Sequence, residues 1–218
     1  TSTTSGSDGS FTIKYENGAL ISLGGQDVDT LTQLDNFQII RDLSGYSSDN
    51  FMITPVTSIA HFMPSQNIYN TLGLDSAIDI NTADPVANKG DGAGYDLLYE
   101  KGNQLTVLAY SLQNMANNLK TTTDSTADYF KAISEEINTE YTASSAAVNI
   151  EKKAFIEKVL DNLVAAKSLT ISADNKANAV TALSSVLPII GVKSTDTLTS
   201  SVIRFSTNTF QTDFISIA

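Results

Sequence analysis

The sequence predicts an α+β fold, with a small N-terminal antiparallel β unit over residues 1–53 and a larger, mostly helical bundle over 54–218. Three observations predict it. Up to Ile53 the apolar residues alternate in short runs parted by Gly- and Asn-rich turns. From Thr54 onward they recur every three or four positions, the period of a helix. The change falls on the Thr-Pro pair of "NFMITPVTSIAHFM", where Thr suits an N-cap and Pro suits the first helical position.

The β unit reads as three or four short strands, among them "SFTIKY", "ALISL" and "FQII", separated by "ENG", "GG" and "SGYSSDN". Such a thin sheet needs a partner: the helical half, strands upstream, or a strand from another subunit. After Thr54, Val56, Ile59, Ala60 and Met63 form one stripe that ends at Pro64. A second short helix runs from Ser65 to Gly73. The irregular acidic passage "LDSAIDINTADPVANKGDGAGYD" then leads into a long helix over about 94–120. Its Leu98, Leu105, Leu112 and Leu119 have heptad spacing, with Leu108 and Met115 between and an interruption at Lys101–Gly102. A core helix is the reading preferred over a dimer zipper, whose flanks would carry more charge than these Asn and Gln residues supply.

Three further helices follow. One opens at Ser125 with Asp128 in capping-box spacing. The next, from Asn149 to Lys167, has a broad apolar face. The third starts at Ser172 and is expected to end at Pro188. The tail over 195–217 reads as a last helix.

Composition narrows the function. A net charge of −11 and a pI near 4.3, with 13 scattered basic residues, argue against nucleic acid and anionic membrane surfaces as partners. No apolar run has the length of a membrane span, so direct membrane insertion is not expected. With no cysteine there is no disulfide, thiolate nucleophile or Cys-based zinc site. Ser and Thr make up about a quarter of the chain, a composition associated with secreted bacterial proteins. The opening "TSTTSGSDGS", which lacks an initiator Met, leads us to expect a processed product or a piece of a longer chain.

Catalytic constellations are not visible. His61, the single histidine, lies about 140° round the helix from Val56 and is expected to face away from the apolar stripe. It has no further His or Cys to share a metal, and no G-x-S-x-G motif accompanies it. "GDGAG" lacks the G-K-[ST] ending of a phosphate loop and is expected to be a flexible lead-in to the long helix. Carboxylates are the chemistry in supply. Asp27 and Asp29 alternate on one side of an extended segment, and Asp79, Asn81, Asp84 and Asp91 crowd the acidic passage. Calcium favours such hard oxygen ligands, which makes these six residues the candidate metal site and calcium the one candidate cofactor; neither cluster matches the twelve-residue EF-hand loop. Asp84, before Pro85, also suits an N-cap. Paired carboxylates for glycoside hydrolysis lack an aromatic sugar platform, and the chain is expected not to be an enzyme.

The order of several segments resembles a known arrangement. "GSDGSFTI" and "GGQDVDT" resemble strand signatures of carboxypeptidase-regulatory-like and related β-sandwich modules. "ITPVTSIAHFM" and "LGLDSAIDINTADPVANKG" resemble the segments that follow such modules in large bacterial exported surface proteins and adhesins. The resemblance spans roughly 5–100 and implies an incomplete sandwich, lacking its earlier strands, on an extracellular or cell-surface protein. The expectation is thus a non-enzymatic structural or adhesive module whose partners are itself, in a homo-oligomer or filament, or neighbouring domains of a longer chain. In the polymer form, strand addition at an open sheet edge joins subunits through the arm Thr1, Ser2, Thr3, Thr4 and Ser5. The alternative is a calcium-dependent peptide- or glycan-binding module of an adhesin.

Overall fold

The computed structural model describes residues 2–7, 9–14, 18–25, 36–45, 50–120 and 124–191. Asp27, Asp29, Thr1 and the expected tail helix over 195–217 lie outside the described residues. Two strands, β1 (Ala19–Leu23) and β2 (Gln38–Asp42), pair antiparallel with Ile21 opposite Ile40. Helices α1 (Pro55–Phe62), α2 (Ile68–Leu72), α3 (Ala93–Lys120), α4 (Thr126–Ser144), α5 (Lys153–Lys167) and α6 (Ala173–Gly191) follow in order. The small β unit followed by a helical bundle is therefore the observed architecture. Residues 10–14, expected as a strand, are not part of the sheet, and among the described residues the sheet has two strands rather than three or four.

Helix α1 starts where Thr54-Pro55 places it. The Thr54 hydroxyl accepts from Thr57 N at 3.1 Å and the Thr57 hydroxyl accepts from Thr54 N at 2.8 Å, a reciprocal box with Thr in the usual Glu or Gln position. Val56, Ile59 and Met63 are buried as one stripe against the bundle, with Ile59 fully closed off. Ser58 is buried too, because its hydroxyl accepts from Ile40 N at 2.9 Å and donates to Thr54 O at 3.1 Å. One face of α1 is core and another carries the sheet.

In α3, Leu98, Leu105, Leu108 and Leu112 are buried, and Leu119 packs partly buried at the end of the seam. The helix runs unbroken through Lys101–Gly102. Buried Lys101 donates to Gln104 Oε1 at 3.0 Å and lies 3.6 Å from Glu151, and Gln104 Nε2 donates to Glu151 and to Leu187 O. That polar knot ties α3 to the start of α5 and the end of α6. A second tie holds the entrance to β2: Asn36 O accepts from Gln113 Nε2 at 3.3 Å and from Thr126 Oγ1 at 3.2 Å. Phe37 beside it meets Tyr110 and Phe130 edge-on, each with centroids 6.1 Å away.

Two boundaries differ from expectation. Ser125 stands at the N-cap of α4 without a side-chain cap bond, and the Asp128 carboxylate points to Lys167, which lies 3.6 Å from it and 3.0 Å from Asp124. Burial and the adjacent Asp124 push the Tyr129 phenol well above its usual range, and its hydroxyl donates to Asp124 at 3.2 Å. Pro188 does not end α6, which continues to Gly191. The helix forgoes one backbone bond there, while Leu183, Leu187 and Ile190 stay buried on the core side, so packing outweighs the missing N–H.

Candidate functional site

The sheet is built onto the bundle on one side, and among the described residues no strand adds to the other. The bonds Gly24 N to Phe37 O at 2.8 Å and Leu43 N to Gly18 O at 2.9 Å continue the ladder beyond the strand ends. In an antiparallel pair, residues whose backbone groups face the partner strand alternate with residues whose groups face away. Even-numbered residues of β1 therefore bond β2, and Ala19, Ile21 and Leu23 turn their N–H and C=O groups to the outer edge. The same alternation sends Ile40 N–H away from β1, where it meets Ser58 of α1. So β2 is tied to α1 at Ile40 and, among the described residues, no strand pairs with the outer edge of β1.

Side chains sharpen the contrast. Leu20 and Ser22 lean inward opposite Arg41 and Ile39, whereas Ile21 is 52% exposed and Leu23 is 64% exposed. Most core-facing aliphatics of the bundle are fully buried, so two large apolar groups on an open strand edge stand out.

Arg41 holds the sheet in place. It is 3% exposed, and its guanidinium donates to Met52 O, to Asn81 O at 3.0 Å and to Asn81 Oδ1 at 3.1 Å, with the Phe51 ring 5.4 Å away. Met52 N donates to the same Asn81 carbonyl at 2.7 Å. A planar fork reading two chain segments at once clamps β2, the segment before α1 and the acidic passage together. Sequence reasoning passed over this residue. The signal was an arginine placed directly after the apolar run "FQII".

The acidic candidates take up other tasks. Asp79 accepts from Asn81 N at 2.9 Å, from Asn81 Nδ2 at 2.8 Å and from Thr82 Oγ1 at 3.3 Å. The Asn81 N–H chiefly holds the Asp79 carboxyl below its ordinary range, and the charge of Arg41 adds to it. Asp84 caps the turn after it, accepting from Val86 N at 2.9 Å and Ala87 N at 3.0 Å. Asp91 accepts from Asn88 Nδ2 at 3.2 Å. Asp79 and Asn81 are brought together, as the polar wall around Arg41; Asp84 and Asp91 each serve their own turn. Among the described residues no three acidic or imidazole groups converge on a common point. The "GDGAG" lead-in is tightly seated at one position: a Cβ on Gly94 would come within 2.7 Å of Ile78 Cδ1, so the passage packs down onto the start of α3.

His61 is half-buried, edge-on to Phe62 at 4.8 Å, and its Nδ1 is shut off from solvent without a hydrogen-bond partner. It is thus less exposed than its angle from Val56 implied. Ser2, Thr3, Thr4 and Ser5 of the expected donor arm are exposed.

Comparison with family models, curated proteins and solved structures finds no match to this chain. No helix among the described residues is long and apolar enough to cross a membrane.

Proposed function

We propose that this chain is a non-enzymatic structural or adhesive module of a bacterial surface protein, joined to its neighbours by strand addition at the open edge of β1. One observation carries the reading: among the described residues no strand pairs with the outward N–H and C=O groups of β1, and Ile21 and Leu23 there are exposed, on a sheet fixed from behind by α1 and Arg41. Strand addition draws affinity from backbone bonds and needs a template that does not shift, which the clamp supplies. The Ser- and Thr-rich acidic composition and the resemblance of "GSDGSFTI" and "ITPVTSIAHFM" to segments of exported adhesins support the extracellular setting.

Sedimentation velocity across a concentration series tests it, with Ile21→Pro as the variant. Proline removes an N–H that faces outward and leaves the β1–β2 ladder intact. Association that grows with concentration and is lost in Ile21→Pro is the expected result. A wild-type chain that stays monomeric throughout, and binds no extended peptide, overturns the reading.

A further inference from the structure

We infer that the strand added to β1 is β1 of a second copy, paired antiparallel about a two-fold axis at Ile21. The inference rests on the strand-addition reading above and names the occupant of that edge. The outward-facing residues Ala19, Ile21 and Leu23 are symmetrically spaced about Ile21. Turned round and laid alongside itself, the strand sets Ala19 against Leu23 of the partner subunit, Ile21 against Ile21 of the partner subunit, and Leu23 against Ala19 of the partner subunit. Each of these is a bonded pair, so every outward N–H and C=O of the strand finds its complement at once.

Chemistry agrees with geometry. Natural edge strands are commonly protected by Lys, Pro or a bulge, and "ALISL" has none of the first two and is regularly paired along its length. No charge on β1 meets a like charge when the strand faces its own copy. Directly opposed residues share a face of the sheet, so the two Ile21 side chains meet across the axis and each Leu23 covers the small Ala19 opposite. The four-stranded sheet formed, β2–β1–β1–β2, meets α1 at both outer sides, where each Ile40 N–H is taken by Ser58. It closes on itself as a two-fold pair, rather than propagating as a filament.

A five-residue edge is small beside the roughly 1,200–2,000 Å² of stable interfaces, so the pair is weak and concentration-dependent. Two molecules of net charge −11 repel one another as they approach. Added salt screens that repulsion without weakening backbone bonds between uncharged strands, so pairing strengthens with ionic strength.

The absence of cysteine makes a register test direct. Full-length Ile21→Cys, Ala19→Cys and Leu23→Cys proteins are oxidised with diamide near neutral pH, and covalent dimer is read on a non-reducing gel. Bonded antiparallel pairs place Cα atoms about 5.5 Å apart, within disulfide reach, and a shift of four residues along the strand removes them from it. Ile21→Cys alone is expected to cross-link. Ala19→Cys and Leu23→Cys are expected to cross-link when mixed, and each to lose the cross-link when alone. Yield is expected to rise between about 0.02 M and about 0.5 M salt. These positions lie on the exposed face, and matching circular dichroism melts verify that the variants fold. Association in sedimentation without this cross-linking pattern overturns the two-fold pairing and leaves strand addition standing. Neither association nor cross-linking overturns both.

Discussion

The β unit and the helical bundle solve the same problem in opposite ways. In α4 and α5, Ile133, Ile137, Phe155, Ile156 and Val159 are fully buried against neighbouring helices. In β1, the comparable side chains Ile21 and Leu23 are more than half exposed. The bundle is packed from within, and the sheet is held at its back by Phe37 in the core and by polar ties: Arg41 on Met52 and Asn81, Ser58 on Ile40, and Gln113 with Thr126 on Asn36. The difference teaches that the buried core and the exposed apolar edge are separated in space. Apolar burial holds the base and the inner face of β2, and hydrogen bonds add their hold there, while Ile21 and Leu23 of β1 stay exposed.

Three sets of substitutions test that separation. The largest effect is expected at the seam, where Ile59→Asp puts a charge into a fully buried site and costs more than about 4 kcal/mol, enough to abolish the thermal transition of the whole molecule. His61→Ala, two residues on, is expected to change stability by less than about 1 kcal/mol, since its shielded Nδ1 makes no bond. A folded Ile59→Asp beside an unfolded His61→Ala would reverse the assignment of the two faces.

The next effect is at the clamp. Arg41→Ala leaves Met52 O and Asn81 Oδ1 without their guanidinium donor, at a cost of about 2–4 kcal/mol in urea unfolding, and Arg41→Lys recovers only part because an ammonium cannot fork. Hydrogen exchange is expected to rise first in β1 and β2, with the bundle still protected. Uniform loss of protection would show that the two regions are not separable.

The smallest effects distinguish the regions by pH. Burial holds the Glu100 carboxyl above its ordinary range, opposed by Lys101 and assisted by Glu151. The folded state therefore binds this proton more tightly than the unfolded chain. Its contribution to stability is full below the ordinary carboxylate value and is lost as pH rises through the raised one. Glu100→Gln is expected to melt above wild type at pH 7, with the gap closing towards about pH 4. Asp79, lowered chiefly by the Asn81 N–H, has the opposite sign: its contribution is present above the ordinary value and lost as pH falls through the lowered one. Asp79→Asn is expected to melt below wild type at pH 7 and to converge with it in acid.

Much of the bundle was legible because its signals are local. Thr54-Pro55 announces α1, Gly73 ends α2 in a left-handed conformation, and the leucine spacing of α3 carries through to burial. Long-range competition hid the rest. Asp128 has the spacing of a cap yet answers to Lys167, which is distant in sequence, and Pro188 is overridden by the packing of Leu187 and Ile190. Alternation in "ALISL" marks a strand without saying which face turns in. That choice is fixed from across the ladder, where Phe37, Ile39 and Arg41 of one face meet the bundle, so that Leu20 and Ser22 opposite turn inward and Ile21 turns out. The candidate carboxylates were legible as a cluster in sequence, and their division among separate turns was not.

The ties behind the sheet also set an order of assembly. Arg41 waits for Asn81, and Phe37 waits for Tyr110 and Phe130, so the segment synthesised first acquires its supports last. While the chain is growing, β2 has only α1 to lean on, and β1 has only β2. A two-stranded hairpin alone is marginal in water. The β1–β2 hairpin therefore takes its lasting shape only after α4, which supplies Thr126 and Phe130, has left the ribosome.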